Sequence, residues 1–156
     1  MSSKITDVYN RIIVVLDTLF PNKTRIPYPY AIERNNSRLM IDGYGLLVGS
    51  STFEELEWCG FLNSRSIRVV FTRSLFKVDS STLETDNLIK AMLEDVYTVQ
   101  ESFYNYNELD IPAKIAKVDI TDVSEPEEVN AENSSFLSMT ANFNFFIYEK
   151  FKENTP

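Results

Sequence analysis

The chain has 156 residues, the size of one domain, with 44% apolar residues and only four glycines and six prolines, which excludes collagen-like and low-complexity classes. With no histidine and one cysteine, Cys59, it lacks the parts for Ser-His-Asp or Cys-His catalysis, for a Cys-rich zinc site and for an intramolecular disulfide. A net charge of −8 and a pI near 4.6 argue against sequence-independent nucleic-acid binding, which needs Lys and Arg to displace counterions.

Ser2 or Ser3 is placed to cap a first helix, and Asp7 sits where the helix dipole favours an acid. Ile5, Val8, Ile12, Leu16 and Leu19 recur at helical spacing until Pro21-Asn22, which predicts a helix over 4–20. This opening does not read as a signal peptide, because Asp7 and Arg11 interrupt it. Lys23 to Asn36 cannot be a helix interior, since Pro27 and Pro29 push their predecessors towards extended backbone. An extended arm or edge strand is expected there. Its Tyr28 and Tyr30 either cover the core edge or dock on a neighbouring subunit.

Arg38 to Ser50 reads as a strand, with Gly43 and Gly45 on one face, leaving a shallow surface that another backbone can approach. It lacks the third glycine of a dinucleotide fingerprint. Ser51 to Ser64 suits a short helical turn or a wide hairpin loop. There Trp58 reads as a core anchor, Cys59 as a buried inert thiol, and Glu54, Glu55 and Glu57 as a solvated rim. Arg65 to Val78 is a second strand, completing a long hairpin, with Ile67, Val69 and Phe71 on one side. Ser81 with Glu84 fits a capping box, and Ile89, Met92, Val96, Val99 and Phe103 make a stripe over a helix at 82–103. Ile12 and Val96 are expected to be buried where the two helices meet the sheet.

After a loop at 105–112, Ala116, Val118 and Ile120 alternate with Lys117 and Asp119 as a third strand. A fourth, from about Ser135 to Phe151, carries Leu137, Met139, Ala141, Phe143, Phe145 and Ile147 on one face and Ser138, Thr140, Asn142 and Asn144 on the other. Residues 153–156 are expected to fray. The order α-β-β-α-β-β gives an α+β fold: one domain over 1–156, with two helices on one face of a mostly antiparallel sheet of about four strands. No apolar stretch approaches the roughly 18 residues of a membrane-crossing helix. The reading is of a soluble domain, intracellular or particle-associated.

Charge is unevenly placed. Residues 21–78 hold eight bases and five acids, whereas 79–156 hold five bases and sixteen acids. Two such surfaces are either a solvated accident or complementary faces of a head-to-tail assembly. The densest acidic segment, Asp122 to Glu132, is expected to be a loop and holds Asp122, Glu125, Glu127, Glu128 and Glu132 without a base. Its irregular spacing does not match an EF-hand, and nothing fixes a carboxylate pair at glycosidase separation. Arg65, Arg68 and Arg73 are candidates to pair with acids of the same chain or of a neighbour. No catalytic, metal or cofactor site is expected.

The layout resembles the tail terminator (tail-completion) proteins of long-tailed bacteriophages across nearly the full chain. The resemblance lies in the helix Ile5–Leu19, the hairpin of Leu39-Met40-Ile41-Asp42-Gly43-Tyr44 with Ile67-Arg68-Val69-Val70-Phe71, and the long helix Leu83–Phe103. It is strongest in the closing alternating strand from Phe136 to Glu149, with its aromatic-acid ending. It implies a non-enzymatic virion protein of the tail or neck, assembled in the host cytoplasm as a homo-oligomeric ring, a hexamer by analogy. That ring would stack on the tail tube protein and meet a neck or head-completion protein. DNA would pass through without specific binding, and no membrane is involved. Arg65, Arg68, Arg73, Tyr28, Tyr30, Asp122, Glu125, Glu127 and Glu128 are the candidate subunit or partner contacts. The alternative is an α+β adaptor that binds a partner peptide on a sheet edge.

Overall fold

The structure, a computed structural model, describes residues 4–56, 60–75, 82–105, 115–131 and 134–150, with only the backbone of 82 and 83. The readings of Ser2 and Ser3, Glu57, Trp58, Cys59, Ser81, Glu132, most of the 105–112 loop and the frayed 153–156 end lie outside them.

Two helices lie on one face of a mostly antiparallel sheet, an α+β arrangement. Helix α1 spans Lys4–Leu19 and helix α2 spans Thr82–Tyr104. The strands are β1 (Thr24–Arg25), β2 (Asp42–Glu55), β3 (Phe61–Ser74), β4 (Ile115–Val123), β5 (Glu127–Ala131) and β6 (Ser134–Glu149). The sheet runs β1-β2-β3-β6-β4, and β5 pairs with β6 beyond the end of β4. Only β1 against β2 is parallel. The six strands exceed the expected four because two short edge pieces, β1 and β5, add to the hairpin β2–β3 and the β4–β6 pair.

The main core lies between the helices and one sheet face. Ile12 and Val96 are 0% and 3% exposed, beside Ile67, Val69 and Phe71 of β3 and Met139, Ala141, Phe143, Phe145 and Ile147 of β6. Tyr44 of β2 is buried on the same face, and its hydroxyl donates to the Asp17 carboxylate of α1. Burial, reinforced by that carboxylate, pushes the Tyr44 phenol well above its ordinary value. A raised native pKa means this stabilisation is complete below the unfolded phenol's pKa, about 10, and fades as pH rises towards the native value. Denaturant unfolding between pH 8 and about 11.5 should show wild type losing stability above pH about 10. Tyr44→Phe should lose less over the same interval, and parallel curves would show that Tyr44 is not protected.

The opposite sheet face is half covered. From β1 the arm crosses to a 3-10 turn at Ile32–Arg34, which touches β5, and returns through a second turn at Ser37–Met40 beside β1, β2 and β3. Ile26, Ile32, Met40, Ala131 and Phe136 form a second small core beneath it. Asn35 locks the crossing: its carboxamide oxygen accepts from the Tyr28 amide at 3.0 Å, and its nitrogen donates to the Tyr28 carbonyl at 2.8 Å and that of Ile32 at 3.0 Å. Gly43 and Gly45 admit this strap. A Cβ on Gly45 would sit 2.6 Å from Pro29 Cβ, and one on Gly43 would sit 2.7 Å from the Leu39 carbonyl oxygen. Gly45→Ala should therefore cost about 1–3 kcal/mol in denaturant unfolding, as overpacking does. A loss below about 0.5 kcal/mol would mean that the strap lifts freely.

Three expectations need correction. The strand expected from Arg38 begins only at Asp42, because Ser37 to Met40 form a 3-10 turn capped by the Asn36 side chain, which accepts from the Arg38 amide. The segment after Ser50 is neither a helical turn nor a wide loop: β2 continues to Glu55 and β3 starts at Phe61, and the Leu56 amide donates to the Gly60 carbonyl at 2.8 Å. A register break between Val48 and Ser51 explains the misreading. Before it Tyr44, Leu46 and Val48 face the helices; after it Ser51, Phe53 and Glu55 share the side of Arg65, Asn63 and Phe61. The acidic segment is also mostly strand. Val123 ends β4, and Glu127 to Ala131 pair with Ser138 to Ser134 of β6. Only 124–126 interrupt the edge, where Ser124 and Thr140 exchange two 2.8 Å bonds.

Candidate interaction surfaces at the sheet edges

The three arginines do not form one surface. Arg65 lies on the helix side of β3, and its guanidinium donates to the Gly49 carbonyl at 2.9 Å, pinning the register break of β2. Arg68 is on the opposite, polar face, between Leu47 and Asn142 in register. Arg73 turns back into its own chain. Its Nη2 meets Asp95 Oδ2 of α2 at 2.8 Å and its Nε lies 3.5 Å from Asp42 Oδ1. Lys23, with a side chain only 6% exposed, bridges the same two carboxylates, 3.0 Å from Asp95. This four-residue network joins the arm, β2, β3 and α2. Its partners are far apart in sequence, so it gave no sequence signal.

Tyr28 and Tyr30 stay 45% and 56% exposed on the β1–β2 side. Their rings pair at 6.2 Å, the Arg34 guanidinium lies over Tyr28 at 5.1 Å, and the Tyr30 hydroxyl accepts from the Val48 amide at 3.1 Å. They therefore line one sheet edge rather than closing the core. Asp122, Glu125, Glu127 and Glu128 are all exposed and lie along the opposite edge, on β4, β5 and their junction. Lys117, on the same edge, rests over Phe146 at 4.4 Å and lies 3.5 Å from Asp119.

Among the described residues, no group of three or more Cys, Asp or Glu is gathered as a metal site. A groove of about 890 Å³ opens between the second turn, β3, α2 and β6, lined by Arg38, Ile41, Leu88 and Phe136 with the paired Asp42 and Arg73. The described surface comprises one helix-covered face, one half-strapped polar face, and two edges of different charge. No described helix is long and apolar enough to cross a membrane.

No protein-family model matches the sequence, and no curated protein matches it. Among solved structures, the chain is similar to one described as "Virion of native gene transfer agent (GTA) particle". That likeness covers 90% of this chain and 91% of the other, at 10% identity and a TM-score of 0.45.

Proposed function

We propose that this chain is a non-enzymatic structural protein of a phage-like virion. In this reading copies of it form a ring that caps the head-proximal end of a tail tube, ends tube growth and presents a surface to the neck or head-completion proteins. The observation that carries the reading is the sheet. A long hairpin and a 16-residue closing strand, β6, hold an alternating apolar face against two helices and stop at two differently charged edges. This is the element order on which the resemblance to tail terminators rests. A ring needs two unlike surfaces on each copy, because its contacts are heterologous.

The test is to disrupt the coding sequence in the genome that encodes it and to examine the particles by electron microscopy. Heads without tails, together with tubes longer than normal, are expected. Normal-length tails joined to heads would overturn the reading. An adaptor that binds a peptide on a sheet edge would leave tail length unchanged.

A further inference from the structure

Building on the ring reading, we propose that neighbouring copies join edge to edge, with the β1–β2 edge of one copy continuing its sheet onto the β4–β5 edge of the next. The occupant of each edge is a second copy of this chain.

Strand direction permits this. β1 and β2 run one way, β4 and β5 the other, so a neighbour placed side by side meets them antiparallel. The register also matches. Thr24 aligns through Gly43, Thr72 and Ser138 with Glu127, so Arg25 lies one rung from Glu127 across the full sheet. No described strand lies outside either edge. An unpaired edge is a ready template for another strand.

Charge then selects the partner. The exposed charges at the β1 end are Arg25 and Arg38, the latter on the turn beside β1. The same level of the other edge carries Glu127 and Glu128, with Glu125 and Asp122 below. Towards the hairpin tip Glu54 and Glu55 lie on β2, and on β4 the acids give way to Lys117, two rungs from Glu54 and 3.5 Å from Asp119. A copy set beside another in the same orientation therefore places base against acid at the β1–β5 end and the Glu54–Glu55 acids beside the neutral Lys117–Asp119 pair at the other. A copy turned end for end would face Glu54 and Glu55 with the β5 acids, and like charges opposed across an interface are costly. Tyr28, Tyr30 and Phe53, each 45–56% exposed, supply aromatic area on one edge, and Ile120, 39% exposed, lies on the other.

The experiment uses the full chain and two charge-reversed variants, Arg25→Glu with Arg38→Glu and Glu127→Arg with Glu128→Arg, measured by sedimentation with and without the tail tube protein. Each variant alone should associate at least about ten-fold more weakly than wild type, with circular dichroism unchanged. Mixed in equal amounts, they should recover assembly, because the reversed β1 edge of one complements the reversed β5 edge of the other and their two native edges complement each other as in wild type. Wild-type rings that are insensitive to the reversals, or variants that fail to recover on mixing, would overturn the edge pairing and leave the ring reading standing. A wild-type chain that stays single in both conditions would overturn both.

Discussion

Phe143→Ala should be the most destabilising single truncation in the sheet, at about 3–5 kcal/mol. The ring is 1% exposed and meets Phe103 of α2 edge-on, with centroids 4.7 Å apart. It is flanked in register by Ile67 on β3 and Ile120 on β4. Removing it takes away a large buried area and leaves a cavity at the junction of α2 with three strands, where a rigid sheet cannot collapse. Denaturant unfolding reads the cost. A loss under about 1 kcal/mol would mean that α2 does not seat on β6 as described.

The second large effect is expected at Asp95. Its carboxylate, 13% exposed, holds both Lys23 and Arg73. Asp95→Ala leaves the buried Lys23 ammonium sharing one partner, Asp42, which is itself 40% exposed. Breaking a buried ion pair costs about 3–5 kcal/mol, and the remaining carboxylate sets the expectation near the low end, about 3 kcal/mol. The same change should loosen β1, because Lys23 ties the start of the arm to α2. Hydrogen exchange should then accelerate at Ile26, whose amide bonds the Tyr44 carbonyl at 2.7 Å, before it does in β6. Equal protection at both sites, with stability unchanged, would show that the network is a surface ornament.

The helices were legible because Ile12, Leu16, Met92, Val96 and Phe103 repeat at helical spacing and all face one core. β6 was legible because apolar residues hold every odd position from Leu137 to Ile147 and polar ones the even positions from Ser138 to Asn144. The hairpin tip was not. The register break at Gly49 and Ser50 moves the core-facing positions from even to odd numbers, so the period-two pattern stops in mid-strand. β5 was hidden for a different reason. Glu127 and Glu128 have poor strand propensity, and they form a strand because β6 offers pairing partners and an edge tolerates charge.

The candidate contacts divide the same way. The acidic set was found by composition, and the structure places it along one edge. Tyr28 and Tyr30 were found from the proline-rich arm and lie on the other edge. Arg65 and Arg73 read as bases that pair with acids of the same chain or of a neighbour; Arg73 meets Asp95 of its own chain, whereas Arg65 donates to the Gly49 carbonyl, and both partners are brought to them only by the fold. Arg25 and Arg38 were passed over because nothing in their local sequence says that they end at a sheet edge.

Mass in solution tests most directly whether copies of this chain close into a ring. Light scattering with crosslinking, on the chain alone and with the tail tube protein added, should give one closed species of several copies in at least the second condition. Negative-stain images of that species should show a ring with a central opening. A single copy at every concentration in both conditions would contradict the account.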